Sequence, residues 1–253
     1  MGPLKLLISV KNEKEALEAI QGGANIIDIE NPSEGLFGAG HPRVIKKIAE
    51  ITPDNIEICA QTGFIPNLSA TVLAALGASV SLSASSSKVK SVKIVLFNVK
   101  TDENALNLIK EVSKTVKEYS PEVNIVILGF ADFKKFNSID PLKLPEIVND
   151  VKKEVPGNYC VKIDVADKKS KSLFEFYDES TLKDFVDRAH KFGMEAGLAG
   201  LLAKEDVRKV FNTGADLLAV RKMVCSGYDR VNGEVQGKFV KEFAKEIGSC
   251  KNN

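Results

Sequence analysis

The chain has 253 residues, 44% of them hydrophobic and 27% charged, with 35 Lys and Arg against 34 Asp and Glu. That length suits one α/β barrel, and the composition is that of a soluble globular protein with a sizeable core. A formal net charge of +1 argues against a general nucleic-acid or anionic-membrane surface, which needs a basic excess, while leaving room for a local basic pocket.

Short β-branched runs alternate with longer amphipathic segments. Leu4–Val10 reads as a strand, and Glu13–Ile20 has helical spacing stopped by Gly22-Gly23. Ile26–Glu30 is a second strand with carboxylates at alternate positions, Asp28 and Glu30. Burying a carboxylate costs several kcal/mol unless it is paired or used, so this strand is expected to line a site. His41–Ile51 follows as a helix, Ile56–Gln61 as a strand, and Ser69–Leu76 as a helix that Ser69 would cap. The serine-rich stretch Ser79–Ser91 reads as a loop or a worn helix. Then come strand Val92–Phe97, helix Asp102–Glu118, strand Asn124–Phe130, helix Leu144–Val151 and strand Tyr159–Val165. Helix Ser180–Phe192 with Ser180 as its cap, strand Met194–Leu198, helix Lys204–Phe211, strand Leu217–Arg221 and helix Gly237–Ile247 complete the chain.

Eight strand–helix units imply parallel strands joined by crossover helices, and the expected architecture is a single (β/α)8 TIM-barrel domain over 1–253. An open doubly wound sheet would carry a glycine-rich turn after its first strand, where this chain reads Val10-Lys11-Asn12-Glu13 instead. The N-terminal apolar run is too short for a signal peptide, and no stretch approaches the ~20 apolar residues of a membrane span. With four scattered cysteines and no CxxC pair, the expected setting is the reducing cytoplasm. Cys59 and Cys160 sit in apolar runs as small buried hydrophobes. His41 and His190 have no partner at metal-ligand spacing, so no metal and no cofactor is expected.

Active sites of such barrels lie at the C-terminal ends of the strands. The candidates there are Asp28 and Glu30 on strand two, Lys93 at the start of strand four, Asp164 and Lys168 on and just past strand six, and Arg221 and Lys222 at strand eight. Asp164 and Lys168 share parity in an extended segment, so both face one side, either as a carboxylate and a reactive amine or as a structural ion pair. Phosphate sites are commonly built from the loops after strands seven and eight, here Ala199-Gly200 and Arg221-Lys222. The plainer reading of Ala199-Gly200 is a tight βα turn.

The segments GGANIIDIENPSEGLFGAGHPRVIKKI, SVKIVLFNVK, KIDVADKKSKSLFEF and GLAGLLAKEDV…GADLLAVRKMVCSGYDRVNG, in this order over nearly the whole chain, resemble the (5-formylfuran-3-yl)methyl phosphate synthase family. The resemblance implies a TIM-barrel lyase of methanofuran biosynthesis. Such an enzyme joins two molecules of glyceraldehyde 3-phosphate, with loss of phosphate and water, into a furan aldehyde phosphate. It carries the family's strand-four lysine onto Lys93, and its strand-six aspartate and lysine onto Asp164 and Lys168. The family's Schiff-base lysine falls on Glu30, and a carboxylate cannot form an imine. Leu201, Lys222 and Val95 stand where the family has a serine and two glycines.

Two functions follow as expectations. One is a synthase-like lyase on a phosphorylated small molecule such as glyceraldehyde 3-phosphate, with Lys168 or Lys93 as the amine, Asp164 as acid/base, and Glu30 moving protons or orienting a lysine. The other is a diverged paralogue that keeps the anion pocket in a regulatory or partner-subunit role. An unrelated reaction on a phosphate-binding barrel is the blandest alternative. No nucleic acid or membrane is expected as partner, and a homo-oligomer is left open.

Overall fold

A computed structural model describes residues 2–35, 38–63, 65, 68–69 and 88–251. Eight parallel strands close a barrel in sequence order: β1 (Lys5–Val10), β2 (Ile26–Ile29), β3 (Glu57–Gln61), β4 (Val89–Val95), β5 (Asn124–Phe130), β6 (Tyr159–Asp164), β7 (Glu195–Leu198) and β8 (Leu217–Val220). β8 pairs with β1, so no strand edge is left open. Among the described residues the outer layer holds α1 (Glu13–Gly22), α2 (Pro42–Ile51), α3 (Asp102–Tyr119), α4 (Leu144–Glu154), α5 (Glu179–Lys191), α6 (Val207–Asn212) and α7 (Gly237–Cys250). The helix expected from Ser69 to Leu76 lies, after its first residue, outside the described residues, as do residues 79–87 of the serine-rich stretch.

Period-two alternation sorts each strand. Ile8, Val10, Ile27, Ile29, Ile94, Ile127, Val161 and Ile163 turn outward and pack under the helices in the main core. The opposite parity faces the barrel interior, where Leu7, Ile26, Cys59, Val126, Cys160, Leu217 and Ala219 meet. Several inward positions are small, among them Ser9, Cys59, Ser91, Gly197 and Ala219. The stem is therefore incompletely filled, and a cavity of about 470 Å³ opens beneath Lys93 and Lys162, toward the N-terminal ends of the strands.

Three local expectations need correction. β4 begins at Val89, so the end of the serine-rich stretch is strand, and Lys93 lies deep in β4 and not at its start. Ser91 and Lys93 line the barrel interior while Val89, Val92 and Ile94 pack in the outer core, with a register shift against β3 between Ile58 and Cys59, so pairing runs further back than the serines suggest. The cap of α5 is Asp178, whose carboxylate accepts from the Thr181 N–H at 2.7 Å and from the Ser180 hydroxyl. Finally, Lys204–Asp206 forms a 3-10 turn ahead of a short α6.

Candidate active site

A cleft at the C-terminal mouth of the barrel gathers residues from around the ring of strands. Its walls include Ser9, Glu30, Gln61, Lys93, Lys162, Asp164, Lys168, Ala199, Gly200, Leu201, Arg221, Lys222 and Arg230. Six of the lining side chains carry a basic group and two, Glu30 and Asp164, a carboxyl group. In a chain of net charge +1 this is a local concentration of basic groups, as an anionic ligand requires.

Asp28 is buried and pairs with a lysine of the cleft wall. Its Oδ2 accepts from Lys93 Nζ at 2.6 Å and from Ser9 Oγ at 2.9 Å, and its side chain is fully buried. Register places Asp28 beside Ser9, and Lys93 lies one strand beyond Cys59. Burial pushes the Asp28 carboxyl up, but the ammonium groups of Lys93 and Lys162 more than offset this and hold it below the usual carboxylate range. For Lys93, burial opposes the charge, but the Asp28 carboxylate together with other acidic neighbours, Glu30 among them, outweighs it and raises the pKa above the ordinary lysine value. Lys93 is thus held as a cation.

Asp164 ends β6. Its Oδ1 accepts from Lys168 Nζ at 2.6 Å and from the Val165 N–H at 2.7 Å. The sequence reading brought these two side chains together through strand parity. They do meet, but β6 stops at Asp164 and the chain bends before Lys168. Burial raises the Asp164 carboxyl and the cations Lys168 and Lys162 outweigh it, so the group stays ionised.

Glu30 sits just past β2, where it bridges to Ala39. Among the described residues its carboxylate makes no hydrogen bond or ion pair to a lysine, although its charge acts on Lys93. Its Oε1 accepts from Arg230 Nη2 at 2.8 Å and lies 3.7 Å from Arg221 Nε. Oε2 has no hydrogen-bond partner among the described residues, and Glu30 lines the cleft. Arg230 is held by the turn after β8, where Asp229 accepts from the N–H groups of Val231 and Asn232 and from the Asn232 amide.

Arg221, expected at a phosphate, is largely committed to the scaffold. Its guanidinium donates to Glu15 at 2.8 Å, to the carbonyls of Ser9 and Arg230, and again to Glu15 at 3.4 Å. Glu15 is fully buried on α1 and also accepts from the Lys11 N–H, so it ties the ends of β1 and β8 to the first helix. Lys222 Nζ donates to the Lys168 carbonyl at 2.9 Å, joining the loops after β6 and β8.

At the turn after β7, the Ala199 N–H is used by the Ile163 carbonyl, so the tight-turn reading holds for that residue. Gly200 has φ +111° and a Cβ there would lie 2.7 Å from Val165 Cγ2, so only glycine fits. Leu201 follows at φ +55°. No described residue accepts from the N–H groups of Gly200 or Leu201, and both residues line the cleft.

The sequence reading passed over Lys162, Glu15 and Arg230. Lys162 shares β6 parity with Asp164, two residues on, so an inward Asp164 already required an inward Lys162. It is 3% exposed, lines the cleft, and has neither a hydrogen bond nor an ion pair within 4 Å among the described residues. Burial first, and the neighbouring Lys93 cation second, lower its pKa from the ordinary lysine value. The four cysteines are free and buried; burial pushes the Cys59 thiol up to about 12 and that of Cys225 to about 11, so neither is a ready nucleophile. His41 accepts from the Arg43 N–H at the start of α2, and His190 meets Asp216 at 2.8 Å.

Comparison with known proteins fixes the family. The sequence pattern of 4-HFC-P synthase matches residues 6–244. The chain belongs to the 4-HFC-P synthase family. It is 37% identical over 243 residues to the (5-formylfuran-3-yl)methyl phosphate synthase of Methanopyrus kandleri, covering 96% of this chain and 98% of that one. It is 38% identical over 247 residues to the synthase of the same description from Methanocaldococcus jannaschii, covering 97% and 99%. Among solved structures it resembles phosphoribosyl anthranilate isomerase from Thermotoga maritima, with a TM-score of 0.63, 14% identity and coverage of 97% and 99%. It also resembles KGPDC from Streptococcus mutans, with a TM-score of 0.62, 11% identity and coverage of 98% and 99%. At those identities the likeness is one of fold. Among the described residues, no helix is long and apolar enough to cross a membrane.

Proposed function

We propose that this chain is a working (5-formylfuran-3-yl)methyl phosphate synthase of the family type, a carbon–oxygen lyase of methanofuran biosynthesis. It condenses two molecules of glyceraldehyde 3-phosphate with loss of phosphate and water. The observation that carries this reading is the convergence of Lys93, Lys162, Asp164 and Lys168 on one basic cleft at the C-terminal mouth of the barrel. An imine on a lysine would act as the electron sink for carbon–carbon bond formation, and the ionised Asp164 would take the proton. Lys168, bonded to Asp164, would return a proton to the leaving oxygen. The N–H groups of Gly200 and Leu201, with Lys222, would hold a substrate phosphate. Glu30 Oε2 would serve as a second base, while Oε1 anchors Arg230.

One observation favours a second reading, the diverged paralogue with a regulatory or partner-subunit role. Glu30 stands at the family's amine position and is held by two arginines. Phosphorus NMR of the protein with glyceraldehyde 3-phosphate separates the two. A working synthase releases one inorganic phosphate for every two triose phosphates consumed and leaves one phosphate in a furan product. Binding of the triose phosphate without enzyme-dependent consumption would establish the diverged reading.

A further inference from the structure

The cleft holds four lysines, and three are already engaged. Lys93 is paired with Asp28 at 2.6 Å, Lys168 with Asp164 at 2.6 Å, and Lys222 donates to the Lys168 carbonyl at 2.9 Å. The described residues contain every lysine of the chain, since residues 1, 36–37, 64, 66–67, 70–87 and 252–253 include none. Lys162 is the one lysine of the cleft with no hydrogen bond or ion pair among the described residues. We propose that Lys162, on β6, is the amine that attacks the substrate carbonyl in this chain, in place of the lysine that position 30 lacks. The inference rests on the lyase reading above and deepens it.

An ammonium cannot attack a carbonyl; a free amine can. Lys93 and Lys168 each sit 2.6 Å from a carboxylate, a pair that either would have to give up in order to attack. Lys162 lies buried with no carboxylate within 4 Å among the described residues, lines the cleft, and is pushed toward the neutral amine by desolvation and then by the Lys93 cation. It lies two residues before Asp164 on β6, and its charge acts on both the Asp28 and the Asp164 carboxylates. The Lys162 Nζ lone pair forms a C–N bond to the aldehyde carbon as the carbonyl π bond opens. The carbonyl oxygen then leaves as water, taking both amine hydrogens, and a C=N bond remains. Asp164 Oδ2, which has no partner among the described residues, faces the same cleft and can relay these protons. Glu30 then needs no nucleophilic role.

The test is borohydride trapping of the full-length protein with glyceraldehyde 3-phosphate, followed by peptide mass mapping. Hydride adds to the imine carbon and leaves a stable secondary amine on the lysine that formed it. The expected result is a saturable adduct on Lys162, with Lys162→Arg losing both adduct and turnover while keeping its circular dichroism. Adduct on a different lysine, or turnover retained in Lys162→Arg, would overturn the assignment and leave the lyase reading standing. Wild-type protein that binds the triose phosphate but gives neither adduct nor furan overturns both. Should Lys162→Arg fail to fold, the adduct position in wild-type protein decides alone.

Discussion

Replacing Asp28 by Asn tests the buried pair it makes with Lys93. The change keeps the shape and one oxygen acceptor, but removes the only carboxylate within 4 Å of Lys93 among the described residues. Both partners are nearly inaccessible, at 0% and 4% side-chain exposure, so solvent cannot compensate the ammonium left behind. Breaking a buried pair by removing one partner costs about 3–5 kcal/mol. In a chain of this length each kcal/mol moves the melting midpoint by about 2–4 °C, so Asp28→Asn is expected to melt roughly 6–20 °C lower. Lys93 lies near Lys162, so the unpaired cation also meets a second basic group. The assay is urea unfolding followed by circular dichroism, with the double variant Asp28→Asn/Lys93→Met completing a cycle. Removing the orphaned ammonium should restore much of the loss, so the two single costs should exceed the double cost by more than about 1 kcal/mol. A loss below about 1 kcal/mol for Asp28→Asn, or single effects that simply add, would refute the buried pair as described.

Other outcomes follow from the same geometry. Lys162→Met should raise stability near neutral pH although it abolishes turnover, because a buried amine with a lowered pKa costs stability at pH below the unfolded value, most fully below the folded one. With the folded pKa below the unfolded value of about 10.4, wild-type stability rises with pH between the two, and unfolding curves across alkaline pH should show Lys162→Met without that rise. Asp164 has the opposite linkage. Its folded pKa is depressed, so its stabilisation is full above the unfolded carboxyl pKa of about 3.9 and is lost as pH falls through the folded value; Asp164→Asn should flatten that acid limb in equilibrium unfolding. Glu30→Lys places a cation beside Arg230 and Arg221 and should lower the melting midpoint without raising turnover. Turnover appearing only in Glu30→Lys would favour the diverged reading.

The barrel was legible because its strands are parallel and buried on both faces, which writes each one as a β-branched run between amphipathic helices. Boundaries were less so. Val89–Ser91 looked like loop because serine has no strand preference, yet the small side chain of Ser91 is one of those lining the cavity beneath the lysines. In the site, Asp28 and Glu30 were visible as carboxylates wasted in a core strand, and Asp164 and Lys168 by spacing. What sequence could not supply was pairing across the barrel. Asp28 finds Lys93 from 65 residues away and Glu30 finds Arg230 from 200, and neither partner is implied by any local pattern. Arg221 read as a free cation because its counter-charge, Glu15, lies on a helix face where acidic residues are ordinarily solvated. Lys162 was missed for a simpler reason, since the parity that placed Asp164 inward applied to it equally.

The central claim is that family chemistry runs in this chain without a lysine at position 30. The most direct measurement is carbon NMR of the wild-type protein mixed with glyceraldehyde 3-phosphate labelled at its carbonyl carbon. The account predicts that the label moves into furan ring and furan aldehyde signals at a rate proportional to protein concentration. Label that stays in triose phosphate, or leaves only by the protein-independent loss of phosphate, would contradict it.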